Sequence, residues 1–137
     1  MKEGGNGKMK KIVISIQNGL LAEAITEMLS YSGEFQPFRM KVGNKKDDVV
    51  DCCEMFSADI LLAEVAYSSG TTVETRLREV KELRQRMPEC KIVLLCEENS
   101  TPDVTDEVIQ AKRDGVIDNF FYSSVTAKYL LAALVSM

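Results

Sequence analysis

The stretch ADILLAEV, residues 58–65, is an almost continuous apolar run. It is far too short to cross a membrane, and it lacks the alternation of a strand with one wet face. It has the pattern of a strand buried on both faces of a parallel sheet. Parallel strands must be joined by crossovers, so the same sheet predicts helices before and after this run. Upstream, KIVISI at 11–16 is a β-branched run, followed by Leu20, Leu21, Ala24, Ile25, Met28 and Leu29 at helical spacing. After a break at Ser32-Gly33, FRMKV at 38–42 reads as a second, edge strand. GNKKDD then supplies turn chemistry, and Val49, Cys53 and Phe56 mark a short helix over 48–56 capped by Asp47 or Asp48. Downstream, the polar turn AYSSGTT precedes a helix marked by Val73, Leu77, Val80, Leu83 and Met87 that stops before Pro88. CKIVLLC at 90–96 is a fourth strand. Thr101-Pro102 opens a helix closed by Gly115, IDNFFY at 117–122 is a fifth strand, and SSVT caps a last helix carrying Leu130, Leu131, Leu134 and Val135.

Five strands alternating with five helices predict a doubly wound (βα)5 α/β sandwich with a five-stranded parallel sheet. Residues 1–8, three glycines and an asparagine among charges, read as a flexible lead-in, leaving one domain over 9–137. The chain has 137 residues, 45% of them hydrophobic and 28% charged, with a net charge of −4 and no isolated basic run. Nucleic-acid binding by this domain is therefore not expected, and neither is membrane insertion. There is no histidine, which removes the commonest general base and zinc ligand. Four cysteines without a C-x-x-C pair fit a reduced, cytoplasmic setting and read as small apolar residues, with Cys96 the first candidate should redox sensing operate. The Arg- and Glu-rich helix after residue 72 has Glu74–Arg78 and Glu82–Arg86 at i,i+4 and reads as a solvated face. Asn99-Ser100-Thr101 matches a glycosylation triplet but reads as turn and cap.

Ligands in open parallel sheets gather beyond the carboxyl ends of the strands, here at residues 16–18, 64–67, 96–99 and 122–124. Asp59 lies at the opposite end of its strand, and Asp118 reads as a surface residue.

KIVISIQNGLLAEAI, ADILLAEV, RMPECKIVLLC and GVIDNFFYSS, in this order and at these separations, resemble the receiver domain of two-component response regulators over essentially residues 9–137. The resemblance implies the receiver fold. It places Ile16 and Gln17 where the family carries its acidic, magnesium-holding pair, and Glu64 where it carries the phosphoacceptor Asp. It places Cys96 at the family's hydroxyl residue, Asn119 at its switch aromatic and Tyr122 at its phosphate-pairing Lys. An isoleucine cannot ligate a hard cation, and in-line phosphoryl transfer needs acid, metal and cation together. The expectation is a degenerate receiver: a non-enzymatic signalling module without metal or cofactor. It would bind a protein partner, or a second copy, through the face built from the fourth helix, fifth strand and fifth helix. That face draws on Val108, Lys112, Asn119, Phe121, Lys128 and Tyr129. Glu64 then reads either as a permanent imitation of the phosphorylated state or as a solvated strand-end acid. An unconventional phosphoreceiver and a flavodoxin-like nucleotide-binding domain stay open as alternatives.

Overall fold

In the computed structural model, which describes residues 9–40, 48–66, 72–97 and 101–137, the elements alternate strictly. They are β1 (Lys10–Ser15), α1 (Gly19–Ser32), β2 (Phe35–Arg39), α2 (Val49–Phe56), β3 (Ile60–Val65), α3 (Val73–Arg86), β4 (Lys91–Cys96), α4 (Pro102–Arg113), β5 (Asn119–Tyr122) and α5 (Ala127–Val135). All pairings are parallel and the strand order is β2-β1-β3-β4-β5. The expected (βα)5 sandwich is therefore present. The lead-in 1–8, the GNKKDD turn up to residue 47, most of the AYSSGTT turn and Asn99-Ser100 lie outside the described residues.

Strand alternation sorts the core into two halves. Val13, Leu61, Ala63, Ile92 and Leu94 pack under α2, α3 and α4, and Ile12, Ile14, Leu62, Val93 and Leu95 pack under α1 and α5. The central strand β3 is buried along its whole length, as its apolar run requires. Local chemistry sets the helix ends. Asn18 caps α1 through Oδ1 to the Leu21 N–H, Asp48 caps α2, and Thr72, Thr101 and Thr126 cap α3, α4 and α5. Gly33 and Gly115 close α1 and α4 with φ of 74° and 76°, a region L-residues avoid.

The largest boundary difference from expectation is at β2, while β5 begins at Asn119 rather than at 117. β2 begins at Phe35, not at Phe38, and runs through Pro37. A proline cannot donate to a ladder, which hides a strand from sequence reading. In the parallel ladder, however, alternate residues bond to alternate sides. Met40 donates its N–H to the Ile14 carbonyl, so Pro37, three residues earlier, turns its nitrogen to the open edge, where no donor is required.

Candidate functional site: the switch-point crevice

Strand order reverses between β1 and β3, because α1 leads outward to β2 and α2 returns across β1 to β3. The crevice above the carboxyl ends of these two strands is thus the place where this architecture binds ligands. Ser15, Ile16, Gln17 and Glu64 stand there. The Gln17 N–H donates to Glu64 Oε1 at 2.9 Å, so the carboxylate already holds the turn between β1 and α1. Glu64 is only 8% exposed, against the reading of it as a solvated strand-end acid. Ile16 is buried against the α1–α5 half of the core. Cys96 ends β4 and is buried, and burial pushes its thiol up to about 11. A thiol disfavoured as thiolate is a weak nucleophile, and its burial weighs against redox sensing at this position. Asn119 opens β5 and accepts from Lys112 Nζ at 3.2 Å, while Tyr122 ends β5 half-open to solvent.

A residue that sequence reading assigned to a solvated face dominates the crevice from beneath. Arg76, in the first turns of α3, is 1% exposed. Its Nε donates to the Glu64 carbonyl at 2.7 Å, and its Nη2 donates to both the carbonyl and the hydroxyl of Ser15 at 2.9 Å. Nη1 pairs with Glu79 Oε1 at 3.1 Å. Burial raises the Glu79 carboxyl above its ordinary range, by more than the neighbouring Arg76 charge lowers it. The signal was available, since position 76 shares the stripe of Val73, Leu77 and Val80 at offsets of three, four and seven. A charged residue on an apolar stripe must find buried partners. Of the two i,i+4 pairs expected on this helix, Glu82 and Arg86 are paired at 3.4 Å, and Arg86 also meets Asp51 and Glu54.

Asp118 is likewise more than a surface residue. Its Oδ2 accepts from the Ile92 N–H at 2.7 Å and from Arg84 Nη2 at 2.9 Å, and Arg84 reaches on to the carbonyls of Pro88, Cys90 and Val116. This clamp ties the end of α3 to the starts of β4 and β5, at the pole away from the crevice. Asp59 is at that pole too, accepting from the Lys11 N–H, as its position in the strand implied.

On the α4–β5–α5 side, Val108 is fully buried and belongs to the core, so it drops out of the expected interface face. It occupies the inward stripe of α4 with Ala111. Lys112 and Lys128 are exposed, and Lys112 Nζ lies 5.9 Å from the centroid of the Phe120 ring. Phe120 packs on the α2–α3–α4 half of the core and Phe121 on the other half, as adjacent strand residues must. Phe121 meets Tyr129 edge-on with centroids 5.9 Å apart, and Tyr129 is 63% exposed.

The divalent cation that the receiver resemblance implies does not fit these residues. Ile16 has no donor atom, Gln17 has only a neutral amide side chain, and Glu64 Oε1 and the Ser15 and Glu64 carbonyls already accept hydrogen bonds. Among the described residues no three His, Cys, Asp or Glu side chains converge as a metal-ligand set. No helix among them is long and apolar enough to cross a membrane.

No protein-family model matches the chain, and neither does any curated protein sequence. Solved structures do. A DNA-binding response regulator of the LuxR family from Staphylococcus aureus superposes with a TM-score of 0.73 at 13% identity, covering 93% of this chain and 98% of that one. The chemotaxis protein CheY4 of Vibrio cholerae gives 0.70 at 16% identity, covering 93% and 97%. A response regulator receiver domain protein from Clostridium thermocellum gives 0.68 at 17%, covering 94% and 92%. At these identities the likeness speaks for architecture, and the chain has the CheY-like fold of response-regulator receiver domains.

Proposed function

We propose that this domain is a receiver-like signalling module that works without accepting phosphate, by binding another protein or a second copy of itself, and that it is not an enzyme. The observation that carries this reading is the state of Glu64. Its carboxylate, at the phosphoacceptor position by resemblance, is buried and already bonded to the Gln17 N–H, and Ile16, the adjacent residue of that turn, is buried and has no donor atom. Phosphoryl transfer needs an accessible acceptor aligned in line with its donor, a metal and a charge-pairing cation; the burial of Glu64, its bond to the Gln17 N–H and the absence of a converging metal-ligand set among the described residues support the phosphate-independent reading. Glu64 instead acts as a fixed anionic strut for the β1–α1 turn.

The surface assigned to the partner is the α4–β5–α5 face without Val108. Tyr122, Tyr129 and Val135 expose apolar area there, and Lys112 and Lys128 border it. Aromatic anchors with a polar, solvent-accessible rim are the composition of protein-binding patches. Incubation with acetyl phosphate and Mg²⁺, followed by intact-mass measurement, should show no phosphoryl adduct. Sedimentation velocity should show self-association or partner binding that Tyr129→Ser weakens by about ten-fold. A stoichiometric adduct overturns the phosphate-independent reading, and binding indifferent to Tyr129→Ser and Lys128→Glu overturns the assigned face.

A further inference from the structure

Among the described residues three polar or charged side chains are buried, Ser15, Glu64 and Arg76, and hydrogen bonds join all three residues at the carboxyl ends of β1 and β3. We propose that Arg76 is the positioning residue of the switch-point crevice, a resident guanidinium that sets the Gln17 N–H against the Glu64 carboxylate with no added divalent cation. The inference rests on the reading of the crevice as a phosphate-independent strut and names the group that holds the strut in place.

The geometry carries it. The registered β1–β3 ladder ends at Ser15 opposite Ala63. Beyond that pair the strand ends would separate, and there the guanidinium gives its Nε–H to the carbonyl of Glu64 and the adjacent Nη2 donors to both oxygens of Ser15. It thereby extends the ladder by one step with side-chain donors. Strand alternation puts the Ser15 side chain on the α3 face and the Glu64 side chain on the α1 face. Arg76 therefore closes the two strand ends from one side, and the Glu64 to Gln17 bond closes them from the other. Only a planar fork with donors in fixed divergent directions can do this, since a lysine offers its donors from a single point. Glu79 balances the charge at Nη1. The carbonyls of Ser15 and Glu64, which a hard cation would seek, are occupied by the fork.

The test is amide hydrogen exchange and NMR on the whole chain and on the Arg76→Lys and Ser15→Ala variants. Arg76→Lys should accelerate exchange of the Gln17 amide by about ten-fold relative to the amides of β4, because the fork is lost while the charge remains. Ser15→Ala removes one acceptor from a small side chain and should give about three-fold at the same amide, so the test survives if Arg76→Lys fails to fold. Titration of the wild type with MgCl₂ alone should leave the Gln17 and Glu64 shifts unchanged. Acceleration shared equally by Gln17 and β4 would make Arg76 merely structural and overturn the proposal. So would a Gln17 amide indifferent to both substitutions, or a saturable Mg²⁺ shift at Gln17 and Glu64. Phosphoryl uptake by the protein would overturn the interaction reading without altering the exchange pattern, so the two can fail separately.

Discussion

Replacing Glu64 with alanine removes the side-chain bond that ties the end of β3 to the β1–α1 turn, Gln17 N–H to Oε1 at 2.9 Å. A hydrogen bond to an ionised group contributes about 1.5–3 kcal/mol. The Gln17 side chain is exposed, so water can reach part of the freed amide, and removing a carboxylate that is 8% exposed also relieves its desolvation. Both place Glu64→Ala at the lower end of that range, a loss of about 1.5–2 kcal/mol. For a chain of this length that lowers the melting temperature by about 5–7 °C. Glu64→Gln keeps an acceptor oxygen without the charge and should lose less than about 1 kcal/mol. Urea unfolding of the three proteins, with equal m-values as the check on two-state behaviour, measures the difference. If alanine and glutamine both fall within about 0.5 kcal/mol of the wild type, Glu64 is a solvated strand-end acid and the strut does not exist.

The clamp at the other pole predicts a comparable cost. Asp118→Ala strands the Ile92 amide and unpairs Arg84, and should destabilise by about 2–3 kcal/mol in urea, whereas a surface residue would show nothing. Glu79 sets a pH dependence. Its carboxyl is raised in the folded state, so folding takes up a proton there, and the contribution is present at low pH and lost as pH rises through and just above the ordinary carboxylate range. Stability measured relative to Glu79→Gln should fall over that interval and be flat at neutral pH; a rise instead would mean that the Arg76 charge outweighs burial. Thiol labelling of the native protein should modify half-buried Cys52 ahead of Cys53, Cys90 and Cys96, and early loss of Cys96 would contradict its burial.

The architecture was legible because parallel strands buried on both faces leave unbroken apolar runs, and 58–65 is one; Thr101-Pro102 and Gly115 marked the ends of a helix whose Val104, Val108 and Ala111 recur on one face. β2 was misplaced since its proline reads as a strand breaker until the open edge is known. The crevice residues Ile16, Gln17, Glu64 and Cys96 were named from strand ends, and the structure gathers Gln17 and Glu64 into one bond. Arg76 and Asp118 were misread for a common reason. Each makes its decisive contacts with residues distant in the chain, Ser15 in one case and Ile92 in the other, and one-dimensional charge patterning reports only neighbours on the same helix or strand. Val108 was placed on a surface because its helix was assigned to the partner face as a whole, although its stripe with Ala111 points inward.

The most direct test of the central claim is a titration of isotope-labelled protein with beryllofluoride and Mg²⁺, a phosphoryl mimic, followed by backbone amide shifts. A Glu64 carboxylate held by the Gln17 N–H predicts no saturable change at Gln17, Glu64 or Cys96. Saturable shifts centred on those three residues would contradict it and make this domain an unconventional phosphoreceiver.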